Sequence, residues 1–480
     1  METTGRRSVG IGMLALGLLF AAWSPALAGE LEDLLLENKQ ITIDQWVQLK
    51  AAEEKREAKI MQESRGVGDV PLRERWYEKI SIRGYTQLRY NFNMKNDQLN
   101  SPGDRSIGHD NEFFLRRARL IVSGQPHNRV FVYLQGEFAG FVNNQSGTQD
   151  GTQEGTMVLR DAYADLFLTE NKEWRIRAGQ SKIPFGFETV QSSQQRLAFD
   201  RNDATFSAVP NERNLGVFLY YAPTVVRERF RRLVDSGLKG SGDYGMLGIG
   251  VYNGQGINQQ DLNKNKHVIF HSAYPYEFSN GQIVQVGMDA YTGQFVVSTT
   301  PVESVSHTSP IITAPIVTNN GNYLDERVAW HFVVFPQPFG LQGEYTIGRG
   351  PQLNGDRTQI VQGSLHGGYL QLYYNYQCDT YCKSVFPYVR WQEYFGGDKS
   401  LVNTPRHSVR ETELGLEYQF NAAVELTVAY TWTQRTSADP LSLPTVPGAF
   451  CGSGSGIACT QSPYQLQTGN LLRFQLQWNF

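Results

Sequence analysis

From Ile80 onward the chain alternates apolar and polar positions with period 2. In the stretch 80–92, Ile80, Ile82, Leu88, Tyr90 and Phe92 share one face, while Ser81, Arg83, Gln87, Arg89 and Asn91 share the other. Successive side chains on a strand point to opposite faces, so this pattern predicts a strand with one apolar and one polar side. Similar stretches recur near 113–124, 129–140, 157–168, 173–181, 214–222, 243–253, 266–277, 282–292, 326–335, 339–348, 364–376, 383–394, 409–420 and 422–435. The chain ends on another, with Leu472, Phe474, Leu476, Trp478 and Phe480 opposite Leu471, Arg473, Gln475, Gln477 and Asn479. Taken alone, that last strand would also suit the edge of a soluble sandwich. About sixteen strands of bilayer-crossing length, an even number, instead predict an all-β fold: a closed transmembrane antiparallel barrel over residues 80–480.

The intervals agree. Short connections at 125–128, 169–172, 278–281 and 336–338 alternate with long ones near 93–112, 141–156, 182–213, 293–325, 395–408 and 436–469. Short turns at one end and long loops at the other are what a membrane barrel requires. One interval breaks the rule. Pro223 to Gly242 should be a turn, yet it is long and basic, with Arg227, Arg229, Arg231 and Arg232.

The period differs before residue 80. Arg6 and Arg7 precede an apolar run from Val9 to Trp23, and Ala26-Leu27-Ala28 is a small-residue cleavage site, so residues 1–28 read as a secretory signal. Residues 29–64 read as a helical or coiled-coil segment in the periplasm. Leu31, Leu34 and Leu35 share a helix face, and Thr42-Ile-Asp-Gln45 is a capping-box pattern ahead of Trp46 and Leu49. Residues 65–79, with Gly66, Gly68 and Pro71, read as a linker.

Composition narrows the choice. Mean hydropathy is −0.40, and beyond the signal no apolar run is long enough for a helical span. A barrel hides its apolar surface at alternate positions and can be polar on average. A net charge of −3 gives no reason to expect nucleic acid. Export places the four cysteines in an oxidising compartment, and their closeness in sequence predicts the disulfides Cys378–Cys382 and Cys451–Cys459. The Cys-x3-Cys spacing has no further His or Cys nearby, so no metal or cofactor is expected.

Several segments resemble the phosphate-selective porin O and P family. They are Phe-Leu-Arg-Arg-Ala-Arg-Leu at 114–120, Leu-Arg-Asp-Ala-Tyr-Ala-Asp at 159–165, Arg-Ala-Gly-Gln-Ser-Lys-Ile-Pro-Phe-Gly at 177–186 and Val-Tyr-Asn-Gly at 251–254. The strand Tyr-Val-Arg-Trp at 388–391 and the terminal Phe480 add to the likeness. The last strand also resembles the closing strand and assembly signal of bacterial outer-membrane barrels. The resemblance spans roughly the whole barrel. It implies a trimeric sixteen-stranded channel in outer-membrane lipid whose third external loop folds into the lumen, with a periplasmic coiled-coil extension. The family name implies a preference for anions.

In such a channel the chemistry lies in the inward charges and the infolded loop. Opposite parity to the apolar face assigns Arg83, Arg89, Arg117, Arg119, Arg175, Arg177, Arg390 and Arg473 to the lumen, with Glu137, Asp161, Asp165, Glu344, Glu413, Glu417 and Glu425. Arginine forks bind phosphate and carboxylate oxygens bidentately, so the pairs Arg117/Arg119 and Arg175/Arg177 are the expected anion contacts. Basic residues crowd the early strands and acidic ones the late strands, which predicts a transverse field. The expected constriction is residues 182–213. It carries Lys182, Arg196, Arg201 and Arg213 against Glu188, Asp200, Asp203 and Glu212, with Phe185, Phe187, Phe199 and Phe206 to pack it on the wall. The expected function is passive diffusion of small hydrophilic solutes, with a modest lean to anions and no covalent chemistry. Two other classes stay open. One is a barrel hydrolase using His331, His267 or His271 as a base; the other is a structural or adhesive barrel using its long polar loops.

Overall fold

The structure is a computed structural model. It describes residues 42, 45–50, 52, 79–94, 111–141, 157–299, 317–355, 358–378, 380–436 and 466–480. The chain forms two units, Met1–Arg75 and Trp76–Phe480. In the first, residues 45–50 are helical and the capping box is formed. The Thr42 amide donates to Gln45 Oε1 at 2.9 Å, and the Gln45 amide donates to Thr42 Oγ1 at 3.3 Å. The rest of the expected signal and helical segment lies outside the described residues.

The second unit is one antiparallel sheet in which each strand pairs with its neighbours in sequence. The strands are β1 (Ile80–Asn93), β2 (Glu112–His127), β3 (Val130–Glu137), β4 (Val158–Phe167), β5 (Trp174–Lys182), β6 (Arg213–Tyr221), β7 (Leu247–Tyr252) and β8 (His267–Glu277). They continue as β9 (Ile283–Val296), β10 (Asn322–Val334), β11 (Phe339–Leu353), β12 (Ile360–Tyr374), β13 (Ser384–Gly397), β14 (Arg406–Gln419), β15 (Val424–Thr436) and β16 (Leu466–Asn479). Tyr376–Gln377 extend β12 past Asn375 and pair with β13 as it does. These are the sixteen strands that the alternation predicts.

The sheet closes where β1 pairs with β16, from Tyr85↔Asn479 to Asn93↔Leu471. Closure leaves no edge with unpaired backbone, which a bilayer core requires. At the seam Gly84 and Phe480 exchange two backbone hydrogen bonds, at 2.6 and 3.0 Å. Gly84 carries no side chain for a reason: a Cβ there would lie 2.6 Å from the Phe480 ring. The terminal aromatic therefore closes the barrel by lying over a glycine of the first strand.

Burial is inverted relative to a soluble protein. Val217, Ile249, Val286, Phe332, Leu372 and Leu414 face outward and are exposed, whereas Arg89, Arg160, Arg213, Arg327 and Arg473 are among the largest fully buried side chains. A charge on the lipid face costs about 2–4 kcal/mol near the midplane, so charge goes inward.

The long basic interval is a true insertion between β6 and β7, at the end that carries the short turns. It contains a helix, α3 (Thr224–Asp235), whose Val226, Phe230 and Leu233 are buried. The spacing is that of an amphipathic helix. Its first turn is capped from the adjacent connection: Glu173 Oε1 accepts from the Thr224 amide at 2.9 Å. It ends at Gly237, with φ 68°, as Leu238 N donates back to Leu233 O at 3.1 Å. Arg229 and Arg232 pair with Glu277 at 3.4 and 2.6 Å, so part of its basic charge is neutralised. Cys378 and Cys382 are bonded to each other in the connection between β12 and β13. Cys451 and Cys459 lie outside the described residues.

Candidate functional site in the barrel lumen

The connection from β5 to β6, residues 183–212, lies across the inside of the barrel. It turns at Gly186, with φ 80°. A Cβ there would meet the Glu344 carboxylate at 2.5 Å, so only glycine fits both the conformation and the close approach. The Gly186 amide donates to Asp289 on β9 at 2.8 Å. Two short helices follow, α1 (Phe187–Val190) and α2 (Asp203–Ala208), the second capped by the Asn202 side chain.

From these pieces the loop reaches strands distant in sequence. Glu188 takes both terminal guanidinium nitrogens of Arg390 on β13, at 2.5 and 3.0 Å. Asp203 pairs with Arg435 on β15 at 2.9 Å. Asp200 accepts from Arg89 on β1 and Arg473 on β16, both at 3.1 Å. The Phe199 ring has both guanidinium groups 4.8 Å from its centre. Arg327 on β10 donates to Ser207 Oγ at 2.7 Å. Apolar residues complete the seating: Ile183, Phe185 and Val209 pack with inward Phe218, Tyr252 and Tyr291, and Phe187 packs with Val333 and Phe335.

The electrostatics of the loop follow from this burial. Burial alone would raise the Glu188 carboxyl, but the Arg390 guanidinium outweighs it and holds the group down at about 2. Burial lowers Arg201 to about 9 against the pull of its partner Glu212. Burial would likewise raise Glu212, yet Arg201 and Arg213 hold it below the ordinary carboxylate range. The contacts of Glu188 with Arg390 and of Glu212 with Arg201 are thus charge-assisted, with their groups ionised at neutral pH.

Nearly all the expected lumen charges face inward. Arg89, Arg117, Arg119, Arg175, Arg177, Lys182, Arg201 and Arg390 are buried there, as are Glu137, Asp161, Asp165, Glu344, Glu413, Glu417 and Glu425. Arg83 keeps inward parity but is exposed near the turn end of β1. Buried basic residues do crowd the early strands, but several of them meet carboxylates on the same wall. Arg119 pairs with Glu137 at 2.6 Å, Arg177 with Asp165 at 2.7 Å, and Arg213 with Asp161 at 3.0 Å, all on the early wall. On the late wall Glu413 pairs with Arg473, and Glu417 with Lys239 from the β6–β7 insertion at 2.5 Å. Strand register sets these partners side by side: Asp165 lies directly opposite Arg177, and Glu137 opposite Arg119. These pairs offset charge locally, within each wall.

A family model, phosphate-selective porin O and P, matches residues 87–442. The chain belongs to that family. It is an outer-membrane porin, and its barrel is the channel. No curated protein sequence matches it. Several solved structures are similar in fold. OmpF of Salmonella typhi, in complex with daunomycin, has TM-score 0.47 and 13% identity over 84% of this chain and 97% of that one. The outer membrane channel DcaP of Acinetobacter baumannii has TM-score 0.45 and 12% identity, covering 84% and 97%. The anion-selective porin from Comamonas acidovorans has TM-score 0.45 and 11% identity, covering 84% and 99%.

The porin also uses residues that the charge pattern did not single out. Lys399, from the β13–β14 connection, bonds Asp325 on β10 and lies 5.0 Å from the Phe295 ring centre. Burial pulls it down to about 8, against Asp325. Lys182 donates to the backbone carbonyls of Val190 and Gln191 at 3.1 and 2.7 Å and so anchors the end of α1. Tyr133 and Tyr163 share the inward parity of the charges on their strands, so the same alternation makes them lining residues. His271 and His331 both approach Asp289, at 2.5 and 3.8 Å, while His267 lies between Tyr252 and Tyr291 and stacks on the latter. Among the described contacts neither His271 nor His331 meets a hydroxyl nucleophile. The pair instead flanks the carboxylate that holds Gly186.

Proposed function

We propose that this porin is a water-filled channel for passive diffusion of small hydrophilic solutes, with a modest lean to anions and with residues 183–212 as its constriction. One observation carries the reading. The loop's described partners lie on β1, β2, β6, β7 and β9 to β16, with Lys182 at the very end of β5, which leaves the passage beside β3, β4 and the rest of β5. That side presents Arg175 and Arg177, and Arg117 and Arg119 border it on β2. Their charge is largely offset by Glu137, Asp165 and Asp243, which supports a mild preference over strict phosphate selectivity. The site roles of Arg83, Arg89, Lys182, Arg201 and Arg390 divide accordingly. Arg390, Lys182 and Arg201 hold the loop, Arg89 steadies its Asp200, and Arg83 attracts solute at the turn end.

The proposal extends to placement. The turn end faces the periplasm, and the N-terminal segment, after removal of residues 1–28, is periplasmic. Three copies assemble, as the family resemblance implies. No covalent chemistry is assigned. The deciding measurement is the reversal potential in a planar bilayer under a salt gradient, with phosphate then titrated into chloride. A small anion preference with weak phosphate block is expected. Strong phosphate block would replace the mild preference by a phosphate site, and a folded protein that does not conduct would defeat the channel reading. Deleting Gln191 to Asn202 is expected to raise single-channel conductance; unchanged conductance would take the constriction away from this loop.

A further inference from the structure

The β6–β7 insertion does not stay on its own side of the barrel. In the ring of sixteen strands β13 and β14 lie almost opposite β6 and β7, yet Lys239 reaches both. Its Nζ bonds Glu417 Oε1 on β14 at 2.5 Å and lies 4.7 Å from the centre of the Phe386 ring on β13. A segment that leaves β6, touches β14 and returns to β7 has to cross the lumen. At the end of α3, Leu233 packs with Ile283, Val333 and Phe335. These partners all lie within a few residues of the short turns, so the crossing is at the turn end. The infolded loop meets it there: Gln191 Nε2 donates to Lys239 O at 2.7 Å, and Phe187 shares an apolar cluster with Leu233. The return limb comes back to β5, at the foot of the side that the loop leaves open. Arg175 donates to both Asp243 carboxylate oxygens, at 2.7 and 3.1 Å, and to the Asp243 backbone carbonyl at 2.8 Å. Tyr244 follows, half-buried, with the Arg177 guanidinium 5.3 Å from its ring centre.

We infer that this insertion is a second constriction of the channel, at the turn end and in series with the infolded loop, and that Tyr244 sets its width. The inference rests on the channel reading above. A solute that passes the loop beside β5 meets Asp243 and Tyr244 next, because the return limb is fastened to the wall on that side. Two features make the aperture rigid. The limb is anchored at one end by α3, whose Val226 and Phe230 pack with Ala273 and Met246, and at the other by the bidentate pair of Arg175 with Asp243. Tyrosine adds a broad side chain with only two rotatable bonds, so it narrows an opening at little entropic cost. The aperture also carries little net charge, since Arg175 offsets Asp243 and the phenol is neutral. Pore radius is therefore its means of selection, and the channel sieves solutes by size at two depths.

The test is Tyr244→Cys, labelled with the bulky uncharged reagent benzyl methanethiosulfonate during single-channel recording. The unsubstituted protein given the same reagent controls for the native cysteines, and mass spectrometry confirms labelling. The open current is expected to fall by roughly a third or more on labelling. In the Gln191 to Asn202 deletion the fractional fall is expected to be larger, because resistances in series add and the turn-end aperture then carries the greater share. Tyr244→Ala, which needs no reagent, is expected to raise the open current in both backgrounds. Labelled protein whose current does not change overturns the second constriction and leaves the porin reading intact. A fall that vanishes in the deletion also overturns it, since Tyr244 would then act through the loop. So does a cysteine that the reagent cannot reach, or a Tyr244→Ala current equal to the original. A folded protein without conductance removes both readings.

Discussion

The wall that the loop covers and the wall that it leaves open both carry buried arginines, and they use them differently. On the covered side Arg390, Arg435 and Arg473 reach into the loop, to Glu188, Asp203 and Asp200. Their partners are far away in sequence, so each pair fixes the position of the loop against the wall. On the open side Arg119 and Arg177 pair with Glu137 and Asp165 on adjacent strands. Those pairs lie along the wall; Arg119 also donates to the Tyr85 hydroxyl and to Ser193 Oγ at the edge of the loop, whereas Arg177 turns Nη1 to the passage. The same residue type therefore acts as a clamp in one place and as lining in another. What decides between them is whether the partner carboxylate belongs to the loop or to the sheet.

The largest test of this contrast is Arg390→Ala. It strands Glu188 in a buried position, and breaking one side of such a pair costs roughly 3–5 kcal/mol. The loop is expected to leave its seat, with higher and noisier single-channel conductance and a lower unfolding temperature. Unchanged conductance would mean that the clamp is redundant.

Arg177→Gln, on the open wall, is expected to do less to conductance and more to selectivity. It uncovers Asp165, so the reversal potential should move toward cations while the loop stays seated. If instead conductance rose as in Arg390→Ala, the two walls would not differ as described.

A smaller effect concerns pH. Lys399 is held down at about 8, so it loses its charge as pH rises through that value and regains it below. Its folded-state value lies below its ordinary value of 10.5, so stability falls as pH drops from about 10.5 to about 8 and changes no further through this group below that. Between pH of about 7 and 9 the lumen should lose this cation, and anion preference should fall slightly. Lys399→Met should abolish that step in the reversal potential. In the acid direction, Glu188 lies well below its unfolded value. Its stabilising contribution is therefore present above about pH 4 and is lost as pH falls toward 2.

Much of this was legible in order along the chain. Alternation is a local property, so Ile80 to Phe92 and Leu472 to Phe480 announce their strands without reference to anything distant. The capping box at Thr42 and Gln45 is equally local. The interval from Pro223 to Gly242 stood out as too long for a turn, but its helix was missed. The spacing of Val226, Phe230 and Leu233 was a usable signal there.

By itself, then, the sequence determined the strands, their inward and outward faces, the even count and the closing aromatic. Each follows from the period of side chains on a pleated backbone and from the cost of placing charge in lipid. Only the tertiary structure decided which charges meet. Parity says that Arg177 and Asp165 both face inward, but not that register sets them opposite one another. Nothing near Glu188 in sequence indicates Arg390, or near Asp200 indicates Arg473. Those pairings depend on closing the barrel first and then laying one loop across it, so the balance of charge in the channel is a property of the closed fold.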